Sequence, residues 1–205
     1  RALERRRADH MREIEVELGV PVFDRVIVRV ARNPDEMRAL APVGLPPPPY
    51  AEGVAYPELG IILLCLTGPN PAAPVNVPSV FVHELSHVAL HRAVNRNRVP
   101  RWFSEGVAIY QARERRLERA QTLFDAYGSG ALHGLGTLDR AFGSPDDRVV
   151  GVAYAQSASM VTFMLGDNRG RAKLQRLIRE MGTGVPFEEA FDRAYYMPLD
   201  DMHKA

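Results

Sequence analysis

Apolar residues recur at helical spacing over residues 2–18, where Leu3, Met11, Ile14 and Leu18 mark one face and arginines crowd the other. Acids are interleaved with those arginines, so the stretch predicts an amphipathic helix docked on a domain rather than a nucleic-acid or membrane-surface helix. Gly19 predicts its end. The period then shortens to two. Residues 23–31 alternate, with Val26, Val28 and Val30 on one face and Arg25 and Arg29 on the other, which predicts a half-buried strand. Asn33-Pro34-Asp35 starts a short helix reaching about Leu40, and the prolines of residues 42–49 predict a rigid, extended connector. Residues 50–66 hold the second strand element, with a continuous apolar run over 60–66 that predicts a buried strand. Residues 67–78, with four prolines, predict a loop.

From there the period is helical. Pro78-Ser79 predicts a helix start, and Val80, Phe81, Leu85, Val88 and Ala89 give it a buried face. A turn over 95–99 leads to a second helix from Pro100 or Arg101, apolar at Trp102, Phe103, Val107, Ala108 and Ile109. The mixed-charge run 113–119 predicts the solvated outer face of that helix as it continues. Residues 127–136, with four glycines and His133, predict a loop. Helices are predicted over 138–142, 151–165, 173–181 and 187–195, with another beginning at Pro198.

Composition narrows this little. A chain of 205 residues makes one large domain or two small lobes. Hydrophobic residues at 46% and charged residues at 25% are ordinary for a globular chain. A net charge of +1 implies no nucleic-acid or polyanion partner. Cys65 alone excludes an intramolecular disulfide framework and reads as a small buried hydrophobe. No apolar run reaches the length of a membrane span.

The chemistry lies in the first predicted buried helix. Val82 to His91 reads V-H-E-L-S-H-V-A-L-H, and His83, Glu84 and His87 form H-E-x-x-H. Residues four apart share a helix face, so both imidazoles can aim at one point, as a tetrahedral zinc ion requires. Glu84 lies about 100° round the same turn, which sets its carboxylate beside the metal rather than on it. His91 lies about 12 Å along the axis from His83, too far to share an ion with both partners. A third ligand must come from elsewhere. Glu105 stands in an otherwise apolar segment, where a carboxylate is costly to bury unless paired or on a metal. Gly106 beside it permits close approach.

H-E-L-S-H followed by P-R-W-F-S-E-G-V-A-I-Y resembles a gluzincin. More narrowly it resembles the bacterial peptidase-MA-like domains, with H-E-x-x-H and then R-W-x-x-E-G-x-A. Gly19-Val20-Pro21, Glu52-Gly53-Val54-Ala55 and Tyr154-Ala155-Gln156-Ser157 carry the resemblance from about residue 18 onward. It implies an α+β, zincin-like fold: a helix at 1–18, a small sheet-containing lobe at 19–78, a mainly helical lobe at 79–205, and a metal cleft between the lobes. It implies one zinc ion per chain held by His83, His87 and Glu105, with Glu84 as general base in the hydrolysis of a peptide or protein substrate. Gly53, Val54 and Ala55 would form an edge strand that binds extended substrate, and Tyr154 would stabilise the oxyanion, with Tyr110 and His133 as alternates. The rival expectation is a catalytically silent, zinc-stabilised binding module of the same fold. The pattern departs from metzincins, since positions 90 and 93 are Leu90 and Ala93 rather than Gly and His. It also lacks the thermolysin-like Asp four residues after Glu105, where Ile109 stands. No G-x-M-E-N stretch is present, which favours an endopeptidase over an aminopeptidase. Relatives that carry export signals place the expected location at the cell envelope or outside the cell.

Overall fold

The structure, a computed structural model, describes residues 2–68, 74–114, 116–166 and 168–204, without the side chains of 2–7 and 116. Residues 69–73 of the expected proline-rich loop, and the side chain of Leu3, lie outside the described residues. The fold is α+β and mostly helical.

Helix α1 (Ala2–Leu18) buries Ile14 and Leu18 and stops at Gly19, whose φ of +76° suits glycine. Three strands follow: β1 (Ile27–Ala31), β2 (Gly53–Tyr56) and β3 (Ile61–Cys65), in the order β1-β3-β2. The pair β1–β3 is parallel and β2–β3 antiparallel. All of β3 is buried, as its unbroken apolar run requires. Ile62 and Leu64 enter the main helical core, while Ile61, Leu63 and Cys65 pack with Met37 of α2 (Pro34–Leu40). Asn33 caps α2, its Oδ1 accepting from the Glu36 amide at 2.9 Å.

One expectation for the sheet is overturned. The valine face of β1 is the open one: Val28 is 36% and Val30 52% exposed. Both lie level with Ile62 and Leu64, but at a sheet edge. Arg29 points the other way and donates to the Leu40 carbonyl at 2.6 Å. Ala31, also on that side, packs against Met37.

The helical part begins with α3 (Val77–Ala93), which starts before the expected Ser79 because Asn76 caps it and accepts from the Ser79 amide. A turn with Asn95 and Arg96 at positive φ leads to α4 (Arg101–Ala112), whose first two amides donate to the Asp139 carboxylate at 2.9 and 2.8 Å. Trp102 and Phe103 anchor the start of α4 in an aromatic cluster with Phe187, at ring separations of 5.0–5.8 Å. Helix α4 does not continue through 113–119 as expected. Arg113 turns to a left-handed φ of 53° and ends it. Next come α5 (Arg116–Ser129), α6 (Leu135–Ala141), α7 (Asp147–Leu165), α8 (Gly170–Gly182), α9 (Phe187–Tyr195) and α10 (Leu199–Lys204). Thus α5 occupies the first part of the expected 127–136 loop, with Gly130 at φ +68° just past its end. Among the described residues no single helix is long and apolar enough to cross a membrane.

Close backbone approach fixes α4 against α7. A Cβ on Gly106 would lie 2.4 Å from the Ser157 carbonyl oxygen and 2.6 Å from Val161 Cγ2. Gly53 performs the same service for β2, where a Cβ would meet Val80 of α3 at 2.4 Å and Glu84 Cγ at 2.9 Å. These two glycines bring α4 to α7 and β2 to α3 around one groove.

Candidate metal centre

His83 and His87 sit one turn apart on α3, their rings edge to face at 4.9 Å. Helix α4 packs against α3 and presents Glu105 to both. Glu105 Oε2 is 3.4 Å from His83 Nε2 and 3.6 Å from His87 Nε2. The donor atoms of these three residues lie within 4.8 Å of one another, close enough to hold one metal ion. Two imidazole nitrogens and one carboxylate oxygen form a donor set that suits zinc.

The outward-facing ring nitrogens are also committed. His83 Nδ1 donates to Glu114 Oε1 at 2.9 Å. His87 Nδ1 pairs with Ser104 Oγ at 2.9 Å. The Glu114 carboxylate, an acceptor, favours a proton on His83 Nδ1 and so leaves its Nε2 to ligate, while the Ser104 hydroxyl holds the His87 ring in place. The second carboxylate oxygen of Glu105 lies 3.6 Å from Arg101 Nε. The donor chemistry and its orientation therefore fit a metal.

Charge in the metal-free cluster is arranged accordingly. Burial disfavours the His83 cation, but the Glu105 and Glu114 carboxylates outweigh it and raise its pKa to about 10. Burial dominates at His87 and lowers it to about 4. Glu105 is buried too, yet its hydrogen bond to His83 and the nearby His87 and Arg101 bring it down to about 2. A protonated His83 thus supplies positive charge where the metal would.

Glu84, the next residue on α3, is 8% exposed. Its carboxylate accepts a hydrogen bond from the Ala55 amide of β2. Burial raises its pKa to about 7 against the pull of His83. Tyr154 of α7 faces the same groove. Its ring meets Phe142 edge to face at 5.0 Å, its hydroxyl bonds to the Arg101 side chain, and burial raises its pKa.

The groove measures about 590 Å³ and is lined by Gly53, Val54 and Ala55 together with His83, Glu84, His87, Glu105 and Tyr154. The expected residues therefore converge. Tyr110 and His133 do not line it; His133 Nε2 instead bonds the Val149 carbonyl at 3.0 Å. His91 reaches the groove wall beside Glu58, at 3.5 Å, outside the donor set. Sequence reasoning missed Ser104, Glu114 and Arg119. Ser104 is one residue from Glu105 and could have been read from that spacing. Glu114 and Arg119 could not, because a chain reversal brings them in.

A family model of the peptidase MA superfamily matches residues 11–205, and the chain belongs to that superfamily. No curated protein and no solved structure matches the chain. Membership suggests a metallopeptidase-like fold and peptidase activity, and His83, His87 and Glu105 could hold a metal ion.

Proposed function

We propose that the protein is a zinc-dependent peptidase of the gluzincin type that cuts within peptide chains. The observation that carries this is the convergence of His83, His87 and Glu105 on one point, with Glu84 beside them at the floor of an open groove. In this reading His83, His87 and Glu105 hold one zinc ion. Bound there, zinc supplies a Lewis acid and a water whose pKa falls to about 7.

The chain's own groups do the rest. The Glu84 carboxylate takes a proton from the attacking water as its oxygen bonds to the substrate carbonyl carbon. The Tyr154 hydroxyl donates to the oxyanion that forms. Glu84 then returns the proton to the amine nitrogen as the C–N bond breaks.

Strand β2 suits an extended substrate. It pairs with β3 alone, and the Cys65 amide bonds the Glu52 carbonyl at 2.9 Å. Backbone groups alternate along an antiparallel pair. Val54 therefore turns its amide and carbonyl to β3, while Gly53 and Ala55 turn theirs outward; the Ala55 amide serves Glu84, which leaves the Gly53 amide and the Gly53 and Ala55 carbonyls for a peptide added at the edge. Residues 19–78 would form one wall of the cleft and 79–205 the other, with 1–18 docked as a helix.

A second groove of about 720 Å³ adjoins it and shares Glu52, Val80, Glu114, Arg119 and Tyr154 with it. Room on both sides of the metal favours an endopeptidase. An export-type location follows only from resemblance and is part of the same proposal. The decisive variant is Glu84→Gln. It should abolish turnover of a denatured protein substrate while zinc content stays at the wild-type level. Turnover that survives would remove Glu84 from the mechanism. Wild-type protein that holds zinc yet cleaves nothing would favour a silent binding module.

A further inference from the structure

We infer that Glu114, held by Arg119, is the positioning residue that fixes His83 for metal binding. The inference rests on the metal site proposed above. Ile109, four residues after Glu105, is 3% exposed and packs as core, so beyond Glu105, which faces Nε2, α4 offers His83 no carboxylate for Nδ1. The chain supplies one by leaving the helix. Arg113 adopts φ 53° and ψ 37°, and the Glu114 amide returns to the Ile109 carbonyl at 3.3 Å. A left-handed conformation is uncommon outside glycine and its close kin, and such backbone often marks a functional site. Here it swings Glu114 back over α3, where Oε1 accepts from His83 Nδ1 at 2.9 Å.

Arg119, on the first turns of α5, completes the arrangement. Its Nη2 donates to the other oxygen, Glu114 Oε2, at 2.8 Å. Both side chains are well covered, at 18% and 20% exposure. Arg119 Nε is buried and has no hydrogen-bond partner among the described residues. A guanidinium is rarely buried at that cost without a reason, and Glu114 supplies one. With one oxygen held by the guanidinium, the other has a fixed position from which to receive the imidazole N–H. The ring cannot then rotate, and its Nε2 lone pair stays aimed at the point shared with His87 and Glu105. The chain of contacts runs Arg119 to Glu114 to His83 to the metal.

The test is zinc affinity by competition with a chromophoric chelator. Glu114→Ala should weaken binding by about 10–100-fold, the range found when such partners of metal-bound histidines are removed. Glu114→Gln, which keeps the shape and loses the charge, should also weaken it but less. Arg119→Met should weaken it less than Glu114→Ala, and the double variant should be no worse than Glu114→Ala, because Arg119 acts through Glu114. The 1H–15N signal of His83 Nδ1 in the zinc-loaded protein should shift in Glu114→Gln, a change that mere loss of stability would not produce. Glu114→Ala or Glu114→Gln with wild-type zinc affinity would overturn the inference and leave the metal site standing. A wild-type protein that binds no zinc would overturn the metal site and this inference together.

Discussion

At the scale of single residues, the centre is a contest between burial and pairing. His83 and His87 share a helix face and a carboxylate, yet they are pushed in opposite directions. Among the described residues only His83 has a second carboxylate partner, Glu114, which favours its protonated form in the metal-free cluster. Zinc must displace that proton, since the ligating imidazole is neutral. With His83 raised to about 10 and His87 lowered to about 4, zinc binding near neutral pH should release protons. Apparent zinc affinity should then rise with pH from about 6 to 8. Chelator competition at three pH values checks this, and a flat profile would show that His83 is neutral before zinc arrives. The same shift bears on stability. A histidine raised above its unfolded value of about 6.5 stabilises the metal-free fold fully below that pH, and the contribution is lost as pH rises through about 10.

At the scale of elements, the site depends on two close approaches that glycine permits. Gly106→Ala would drive a methyl group into the Ser157 carbonyl of α7. The helices must part, and overpacking of this kind costs about 1–3 kcal/mol. Urea unfolding should show that loss, and zinc affinity should fall as Glu105 moves with α4. Unchanged stability would mean that α4 and α7 are looser than described. The chain's pattern revealed much of this scaffold. H-E-x-x-H on an apolar helix gave α3 its role, and an acid in the apolar segment of α4 singled out Glu105. The glycine beside Glu105 was legible as a point of approach. What was hidden depended on tertiary context. The valines of β1 alternate as a buried face would, but an edge position leaves them open. The charged run 113–119 resembles a solvated helix face in composition alone. Nothing in it signals that a non-glycine residue turns left-handed at Arg113 and carries Glu114 inward. The glycines near 128 suggested a loop, yet one in a final helical turn is tolerated.

At the scale of the molecule, one continuous arrangement serves the site. The family match spans α1's second half through the last described helix, and the main core draws on α1, β3, α3, α4 and the helices from α6 onward. The two adjoining grooves share lining residues, with His83, His87 and Glu105 in the first and Tyr154 bordering both. In the proposed reading a peptide bonded to the edge of β2 extends past the cluster in both directions. Peptides blocked by acetyl and amide groups should therefore be cut as readily as free ones, at internal bonds, as mass spectrometry of the fragments would show. Cleavage only next to a free terminus would contradict the open groove.

The most direct test of the central claim is the zinc content of the protein, purified without a histidine tag or added metal, by elemental analysis. About one zinc per chain is the predicted result, in line with a closed set of three protein ligands. A content far below one, unchanged after zinc is offered and free metal removed, would mean that His83, His87 and Glu105 do not hold an ion, and the peptidase reading would fall with them.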